Sequence, residues 1–523
     1  MVWTTIWSTT CHPARPALKR HMATPKRGYA DFAEHLDRLD RAGLVRRIDA
    51  DVNKDTELHP LVRWQYRGGI PDEDRKAFVF TNVTDAKGRK FDMPVVVGAM
   101  AGSRAIYRAG LGVGADGVGP IWARAIDKPV PPVEVSGAPC QEIVLKGDDI
   151  KGAGNGLDAL PVPISTPGYD SAPYITAGNF ATRDPDTGVQ NLGTYRGGLK
   201  AADRIGVRMS TRSGGAGGYP HWLKYQARGE KMACAIVLGC PPVVAYTGPQ
   251  KLPIGTDELA VAGGLAGEAI RVTRCHSIDL LVPAEAEIII EGLIDTEYLE
   301  PEAPFGESHG HIALEDFNMI FDVTAITRKK DALFASIISQ VTPSESSAIK
   351  RDTYEQMFLS HLQNSLGIRG VQNVVMHEPL SNIRRVIFLV MAPGAPKTEV
   401  WRALHGASSL RADCGKYVMA VSEDINPDNG DAVFWSLAYR ANPAEDVVIL
   451  GNRDGGHGPH FNRGRGGARS SDGTMLVDAT LKHVSAPLAL PKKPYMEHAK
   501  ELWERLQLPP LNPETPWHGY SIG

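Results

Sequence analysis

The sequence predicts a mixed α/β (α+β) protein built as three successive folded units, and three observations predict it. The chain has 523 residues, too many for one hydrophobic core. Its apolar residues follow helical spacing near the start, short strand-like runs in the middle, and alternating strands and helices towards the end. Glycine (54) and proline (38) are abundant, so turns are frequent and the elements between them are short.

Residues 1–28 lie in a stretch, Met1 to Ala30, that has no acidic residue, several Arg and Lys, and many Ser and Thr. That composition fits a transit peptide, and it fits equally an upstream extension ahead of Met22. The segment is set aside from the fold. From residue 29 the pattern turns structural. Phe32, Leu36, Leu39 and Ala42 share one helical face, and Gly43 follows as a C-cap. Residues 44–48, 77–80 and 93–97 read as strands and 103–111 as a helix, giving an N-terminal α/β unit over 29–128. Residues 129–330 are rich in Gly and Pro, with strands at 142–145, 233–238 and 287–290 and few helices, which predicts a barrel or sandwich. Residues 331–490 alternate helices (354–365, 398–407) with strands (386–391, 418–421, 446–450), an α/β layer of βαβ character. In the last unit, 491–523, an amphipathic stretch at 494–506 reads as a docking helix ahead of a tail.

Composition narrows the class. Hydrophobic content of 42%, charged content of 22% and a net charge of -3 are those of an ordinary soluble protein. They give no sign of a nucleic-acid or membrane-surface partner. The six cysteines show neither C-x-x-C nor zinc spacing and read as reduced, buried thiols inside the cell. No apolar run is long enough to cross a bilayer. The expected location is the cytoplasm, or the mitochondrion if the leading segment is a transit peptide.

Two motifs are rejected. Gly112-Val-Gly114-Ala-Asp-Gly117 matches the dinucleotide fingerprint by letter. A helix-like segment precedes it where a strand is required, and Pro120 follows, so it reads as a turn with Gly112 ending the helix. His457 and His460 lie in a loop rich in Gly and Arg and read as solvated.

Two further segments carry chemistry. Asn191-Leu-Gly-Thr-Tyr-Arg196 and Glu302-Ala-Pro-Phe-Gly-Glu307-Ser-His-Gly-His311 set an arginine and two turn-flanked carboxylates in the same unit. An Arg–Glu pair keeps one carboxylate ionised, and a free Glu beside it is available to carry a proton. The plain alternative is a structural ion pair with Glu307 capping a turn. The pairing Asn-x4-Arg with E-x-P-F-G-E-x-H-G resembles the UbiD-type decarboxylases, which use prenylated flavin to add or remove CO2 on unsaturated acids. Gly43-Leu-Val-Arg-Arg-Ile-Asp, Gly239-Cys-Pro-Pro, Asp279-Leu-Leu-Val-Pro-Ala, Glu287-Ile-Ile-Ile-Glu-Gly292 and Val477-Asp-Ala-Thr resemble further pieces of the family in order, from about residue 29 to 508.

The resemblance implies an N-terminal α/β domain, a split β-barrel resembling flavin reductases, and a C-terminal α/β domain that helps form homodimers or homohexamers. It implies reversible non-oxidative decarboxylation of an aromatic, heteroaromatic or α,β-unsaturated acid, free or as a CoA thioester, through a covalent prenylated-FMN adduct. Arg196 and Glu302 would be the ion pair and Glu307 the proton donor. A flavin prenyltransferase would supply the cofactor. Asn191 and Arg196 would contact it, and Lys416 in Gly415-Lys-Tyr-Val resembles a flavin-touching lysine. A K+ ion is expected near Tyr246-Thr-Gly-Pro-Gln-Lys-Leu-Pro253.

The metal set departs from the family pattern of Asn, His and Glu that holds Mn2+ against the flavin phosphate. Asn191 and Glu258 match, but the expected His position falls at or near Gly214, in Ser213-Gly-Gly-Ala-Gly-Gly-Tyr219. Either His221, a water or a backbone carbonyl completes the shell, or the glycine run cradles the phosphate with its N–H groups without metal. A decayed site is the plain counterpart. Two other functions stay open: a flavin-binding oxidoreductase on the same barrel, and a non-catalytic cofactor-binding or assembly subunit.

Overall fold

The computed structural model of the chain describes residues 27–210, 217–250, 252, 255–302, 304–313, 316–411, 413–453, 472–483 and 489–511. Asp31 caps the first helix, Phe32–Arg41, by accepting the Glu34 N–H while Glu34 returns a bond to the Asp31 N–H. Phe32, Leu36 and Leu39 are buried, as their spacing expects. The strands Val45–Asn53, Ala77–Thr84 and Val95–Val97 form the first sheet. The chain returns to this sheet much later, when Phe334–Ser336 pairs parallel with Val95–Val97. That late strand is wholly buried, so it closes the sheet's edge.

Among the helices that escape the sequence reading are Leu58–Arg67, Val118–Asp127 and Gly218–Arg228. Each has proline as its third residue, namely Pro60, Pro120 and Pro220. In a first turn the missing N–H has no intrahelical partner to lose, so proline starts these helices. Pro120 therefore does not stop a helix after the glycine motif. Gly112 does end one, at φ +68° after Arg104–Leu111, and no strand precedes it.

The central unit is a nine-stranded sheet. Its path runs from Tyr174–Ile175 and Arg196–Ala201, through Arg204–Arg208, Asp316–Arg328, Ile288–Glu302 and Met232–Leu238, to Asn179–Arg183 and Gln190–Thr194. Only Tyr195 separates the last strand of this path from one of the first two. The two ends must therefore meet, and the sheet curls into a barrel split at that seam. Asn191 and Arg196 stand on either side of the split. Helices Gly218–Arg228 and Glu258–Ala266 pack beside the seam, against Asn179–Arg183 and Gln190–Thr194 respectively.

The first two units share their cores. Phe32, Leu36 and Leu39 pack in one cluster with Val244, Tyr246, Val261 and Ile289, and Leu58 and Val62 in another with Val207, Ile290 and Phe321. The C-terminal sheet, in the order Val371–Met376, Val386–Met391, Tyr417–Ser422, Asp472–Ala479, Val447–Arg453, keeps cores of its own. Helix Glu345–Ser360 joins the two bodies: Glu345 accepts the N–H groups of Gly98, Met100 and Ala101, while Tyr354 and Phe358 enter the C-terminal core. The last helix, Lys493–Arg505, forms where expected and buries none of its residues. Among the described residues no helix is long and apolar enough to cross a membrane.

Candidate active site

Strand Arg196–Ala201 begins at the barrel seam, and its first side chain reaches the end of strand Ile288–Glu302. Arg196 donates Nε to Glu302 Oε1 and Nη2 to Glu302 Oε2, both at 2.7 Å. This is the parallel fork that a guanidinium makes with a carboxylate. Its Nη1 lies 2.7 Å from Glu307 Oε1. The expected arrangement of an ion pair beside a free glutamate is thus corrected: one arginine holds both carboxylates. The guanidinium has donors on three nitrogens, and two spent on Glu302 leave the third facing Glu307. The three side chains are 14%, 1% and 8% exposed. Burial pulls the Arg196 pKa down, but the Glu302 hydrogen bonds and the two carboxylate charges outweigh it and hold the guanidinium protonated.

The turn between the glutamates is fixed by its neighbours. Arg196 lies 4.7 Å over the Phe305 ring, and Tyr174 packs on the same ring at 4.2 Å. Burial and then the Glu302 charge push the Tyr174 hydroxyl up. Asp170 accepts the Gly306 N–H at 2.9 Å and the Thr166 N–H at 2.7 Å, tying segment 166–170 to the residue before Glu307. Burial raises its pKa, which these N–H groups partly offset. A Cβ on Gly306 would fall on Thr166 Oγ1 and lie 2.8 Å from Gln340 Cγ, so this close approach demands glycine. His309 Nε2 lies 3.9 Å from Glu307 Oε2. Asp170, Tyr174 and His309 were not singled out from the sequence. An acid closing Ser165-Thr-Pro-Gly-Tyr-Asp170 is an ordinary turn residue, and only its partner at Gly306 sets it apart.

The expected metal residues gather on the other side of the seam, at the hairpin of Asn179–Arg183 and Gln190–Thr194. Glu258, the first residue of its helix, is 8% exposed and accepts the Leu192 N–H at 2.8 Å, covering a donor on the outer strand. Burial pushes its pKa up to about 7. Asn191 pairs in register with Thr182, so their side chains share a face, and Thr182 Oγ1 lies 3.0 Å from His221 Nδ1. Burial lowers the His221 pKa. The Asn191 amide oxygen accepts from the Gly193 and Leu192 N–H groups at 3.2 Å and from the Tyr195 hydroxyl at 3.3 Å. An amide oxygen and a buried carboxylate are both hard oxygen donors of the kind a divalent cation takes. A Cβ on Gly217 would fall on the Asn191 amide, so this close approach to the side chain requires glycine. In donor chemistry, Asn191 and Glu258 fit a divalent ion. Among the described residues no cluster of three His, Cys, Asp or Glu is arranged for a metal. Residues 213–216 of the glycine run lie outside the described residues, as do His457 and His460.

Lys416 belongs to the C-terminal sheet, where Asp472 holds its ammonium at 3.0 Å through both oxygens. Its cofactor-binding role therefore rests on the resemblance. Near the expected K+ position, the Tyr246 hydroxyl donates to Met100 O at 2.7 Å, and Gly248 O accepts the Thr194 N–H. Lys251 and Pro253 lie outside the described residues.

Three domains of the 3-octaprenyl-4-hydroxybenzoate carboxy-lyase (UbiD) family match in order: the N-terminal domain over 36–126, the Rift-related domain over 132–341 and the C-terminal domain over 351–479. The UbiD-class enzyme HmfF from Pelotomaculum thermopropionicum, solved with FMN, is 27% identical, with a TM-score of 0.75 over 88% of this chain and 95% of that one. Vanillic acid decarboxylase from Sedimentibacter hydroxybenzoicus is 23% identical, with a TM-score of 0.73 over 92% of this chain and 99% of that one. A 3,4-dihydroxybenzoic acid decarboxylase from Enterobacter cloacae is 20% identical, with a TM-score of 0.74 over 90% and 99%. The last two show the shared fold. With all three domains present in the family's order, the chain belongs to the UbiD carboxy-lyase family.

Proposed function

We propose that this protein catalyses the reversible, non-oxidative decarboxylation of an aromatic, heteroaromatic or α,β-unsaturated carboxylic acid with prenylated FMN. The observation that carries the reading is Arg196 held between Glu302 and Glu307 at the barrel seam. HmfF, 26% identical in an evolved dimeric form, has been solved with prFMN, which supports the choice of cofactor. When bound, prenylated FMN supplies the electron sink for the carbon that loses CO2.

The chain's own residues do the rest. Glu302 fixes the guanidinium, so Arg196 can orient the substrate carboxylate. The Nη1 that holds Glu307 is the donor for which that carboxylate competes, and a proton on Glu307 weakens its hold and releases Arg196. Glu307 then delivers this proton to the electron pair left on carbon as CO2 departs. Phe305 and Tyr174 wall the pair from water. Asn191 and Glu258 would hold a divalent ion at the cofactor phosphate, with His221, a water or a backbone carbonyl completing the shell. Self-association into a homodimer or homohexamer belongs to the same reading.

The test is native mass spectrometry of protein co-expressed with a flavin prenyltransferase, followed by CO2 release from a panel of such acids. A mass increment of prenylated FMN plus one divalent ion, with turnover, supports the whole reading. Prenylated FMN without metal moves the phosphate to the glycine run. Bound flavin that is reduced by NAD(P)H without CO2 release supports an oxidoreductase, and no flavin at all supports a non-catalytic subunit.

A further inference from the structure

A half-buried cation with no carboxylate partner among the described residues lies beside the turn that carries Glu307. Arg63, on helix Leu58–Arg67, donates Nη1 to Val341 O at 3.0 Å and Nη2 to Gln340 Oε1. It makes no ion pair among the described residues, and burial pulls its pKa down to about 10. A guanidinium that has lost part of its water and has no carboxylate beside it favours any counter-ion that can reach it. The neighbouring polar atoms are donors in want of acceptors. Gln340 is 4% exposed, and its Nε2 is buried without a hydrogen-bond partner. Ser165 Oγ and Thr166 Oγ1 are buried and unpartnered in the same way. Asp170 is the carboxylate nearest to them in the chain, and its two oxygens take the N–H groups of Gly306 and Thr166.

These groups meet at the catalytic turn. Thr166 Oγ1 and Gln340 Cγ both crowd the open Cα face of Gly306, the residue before Glu307. Val341 Cγ2 would lie 3.6 Å from a Cβ on Gly310, so segment 339–341 flanks the turn along its length. Water satisfies stray donors of this kind in many proteins, but it leaves the guanidinium charge unbalanced. A bound oxyanion answers both needs, since it accepts from several donors and neutralises the cation.

We infer that Arg63, Gln340 and Thr166 form an oxyanion subsite beside Glu307, fitted to a second carboxylate on the substrate. This rests on the decarboxylase reading and deepens it to dicarboxylic acids. The reacting carboxylate sits at Arg196, and the second is taken up by Arg63, Gln340 and Thr166 beside the Gly306 turn. Discrimination follows because a monoacid leaves Arg63 unbalanced, whereas the diacid supplies its counter-ion.

The test uses full-length holoprotein and matched acids: benzoate against isophthalate, and cinnamate against 4-carboxycinnamate. One charge-assisted contact is worth about 1.5–3 kcal/mol, so kcat/KM should favour the diacid by roughly tenfold or more. Gln340→Leu and Arg63→Met should each bring the ratio close to parity. Arg63 also braces Val341, so if its variant does not fold, the near-isosteric Gln340→Leu decides. A wild-type preference for monoacids, or a diacid preference that Gln340→Leu leaves intact, overturns the subsite. Inorganic phosphate separates the sources of anion: inhibition of monoacid and diacid turnover alike, abolished by Gln340→Leu, would assign the subsite to a free anion and overturn the substrate role. If the wild type releases CO2 from none of these acids, calorimetric titration with isophthalate and benzoate still reads the subsite. Tighter isophthalate binding that Gln340→Leu removes would then keep it while the decarboxylase reading fails, and equal binding would reject it.

Discussion

Arg196 and Glu302 meet through two parallel N–H···O bonds of 2.7 Å, and the carboxylate is 1% exposed. The pair joins the first strand after the barrel seam to the end of a strand that starts on the far side of the sheet. Its removal should therefore be felt in both stability and chemistry. Arg196→Met leaves two buried carboxylates without their cation, which costs on the order of 3–5 kcal/mol. Denaturant titration should show that loss. Arg196→Lys keeps the charge but not the fork, so it should recover part of the stability and little of the turnover. Equal turnover by the lysine variant would remove the bidentate geometry from the mechanism.

Glu307 is the group assigned to move the proton. Glu307→Gln keeps its size and its contact with Arg196 but has no acidic proton. General acids contribute about 10²–10⁴ in rate, and kcat should fall within or beyond that range while flavin stays bound. Near-wild-type decarboxylation by this variant would end the role given to Glu307.

Glu258 predicts a pH dependence with a definite sign. Burial raises its pKa from 4.5 to about 7. A carboxyl raised on folding stabilises the protein while protonated, below the unfolded value, and that contribution is lost as pH rises towards 7. The shift corresponds to roughly 3 kcal/mol between the two limits. Metal-free protein should lose more Tm between pH 5 and 7 than Glu258→Gln does. Binding of Mn2+ requires the ionised form, so it should release a proton and restore Tm at pH 7 in the wild type alone. The same pH slope in both proteins would show that Glu258 does not titrate in this window. Glu258→Ala should also retain less flavin, and unchanged flavin content would remove it from the metal shell.

Asp170 holds the Glu307 turn from segment 166–170 through the Gly306 N–H. Asp170→Asn replaces one of its two acceptors with a donor that faces an N–H. Each such bond is worth about 1.5–3 kcal/mol, so kcat should drop by tenfold or more with flavin content unchanged. Gly306→Ala should act in the same direction, because its Cβ falls on Thr166. If kcat is unaffected in both variants, the turn does not need this brace.

Much of this protein was settled locally. Helix Phe32–Arg41 forms because Asp31 and Glu34 cap it and its apolar face is continuous, and the C-terminal strands appear where β-branched runs sit between helices. Arg196, Glu302 and Glu307 stand out because the motifs around them match the family pattern, since taken alone they read equally as a structural ion pair and a turn cap. The helices opened by Pro60, Pro120 and Pro220 were hidden, since proline reads as a breaker until its place in the first turn is known.

What tertiary structure decided is pairing across distance. Periodicity along the chain says which face is apolar and nothing about which strand lies beside it. The curl of the barrel brings Gln190–Thr194 back to Arg196–Ala201, the return of Phe334–Ser336 ties the barrel's exit to the first sheet, and both merge two units into shared cores. Only that packing shows that Arg196 grips both glutamates, that Glu258 covers the Leu192 N–H, and that Arg63 is half-buried with no counter-ion among the described residues. Charge balance and desolvation depend on neighbours far away in sequence, which a linear reading does not contain.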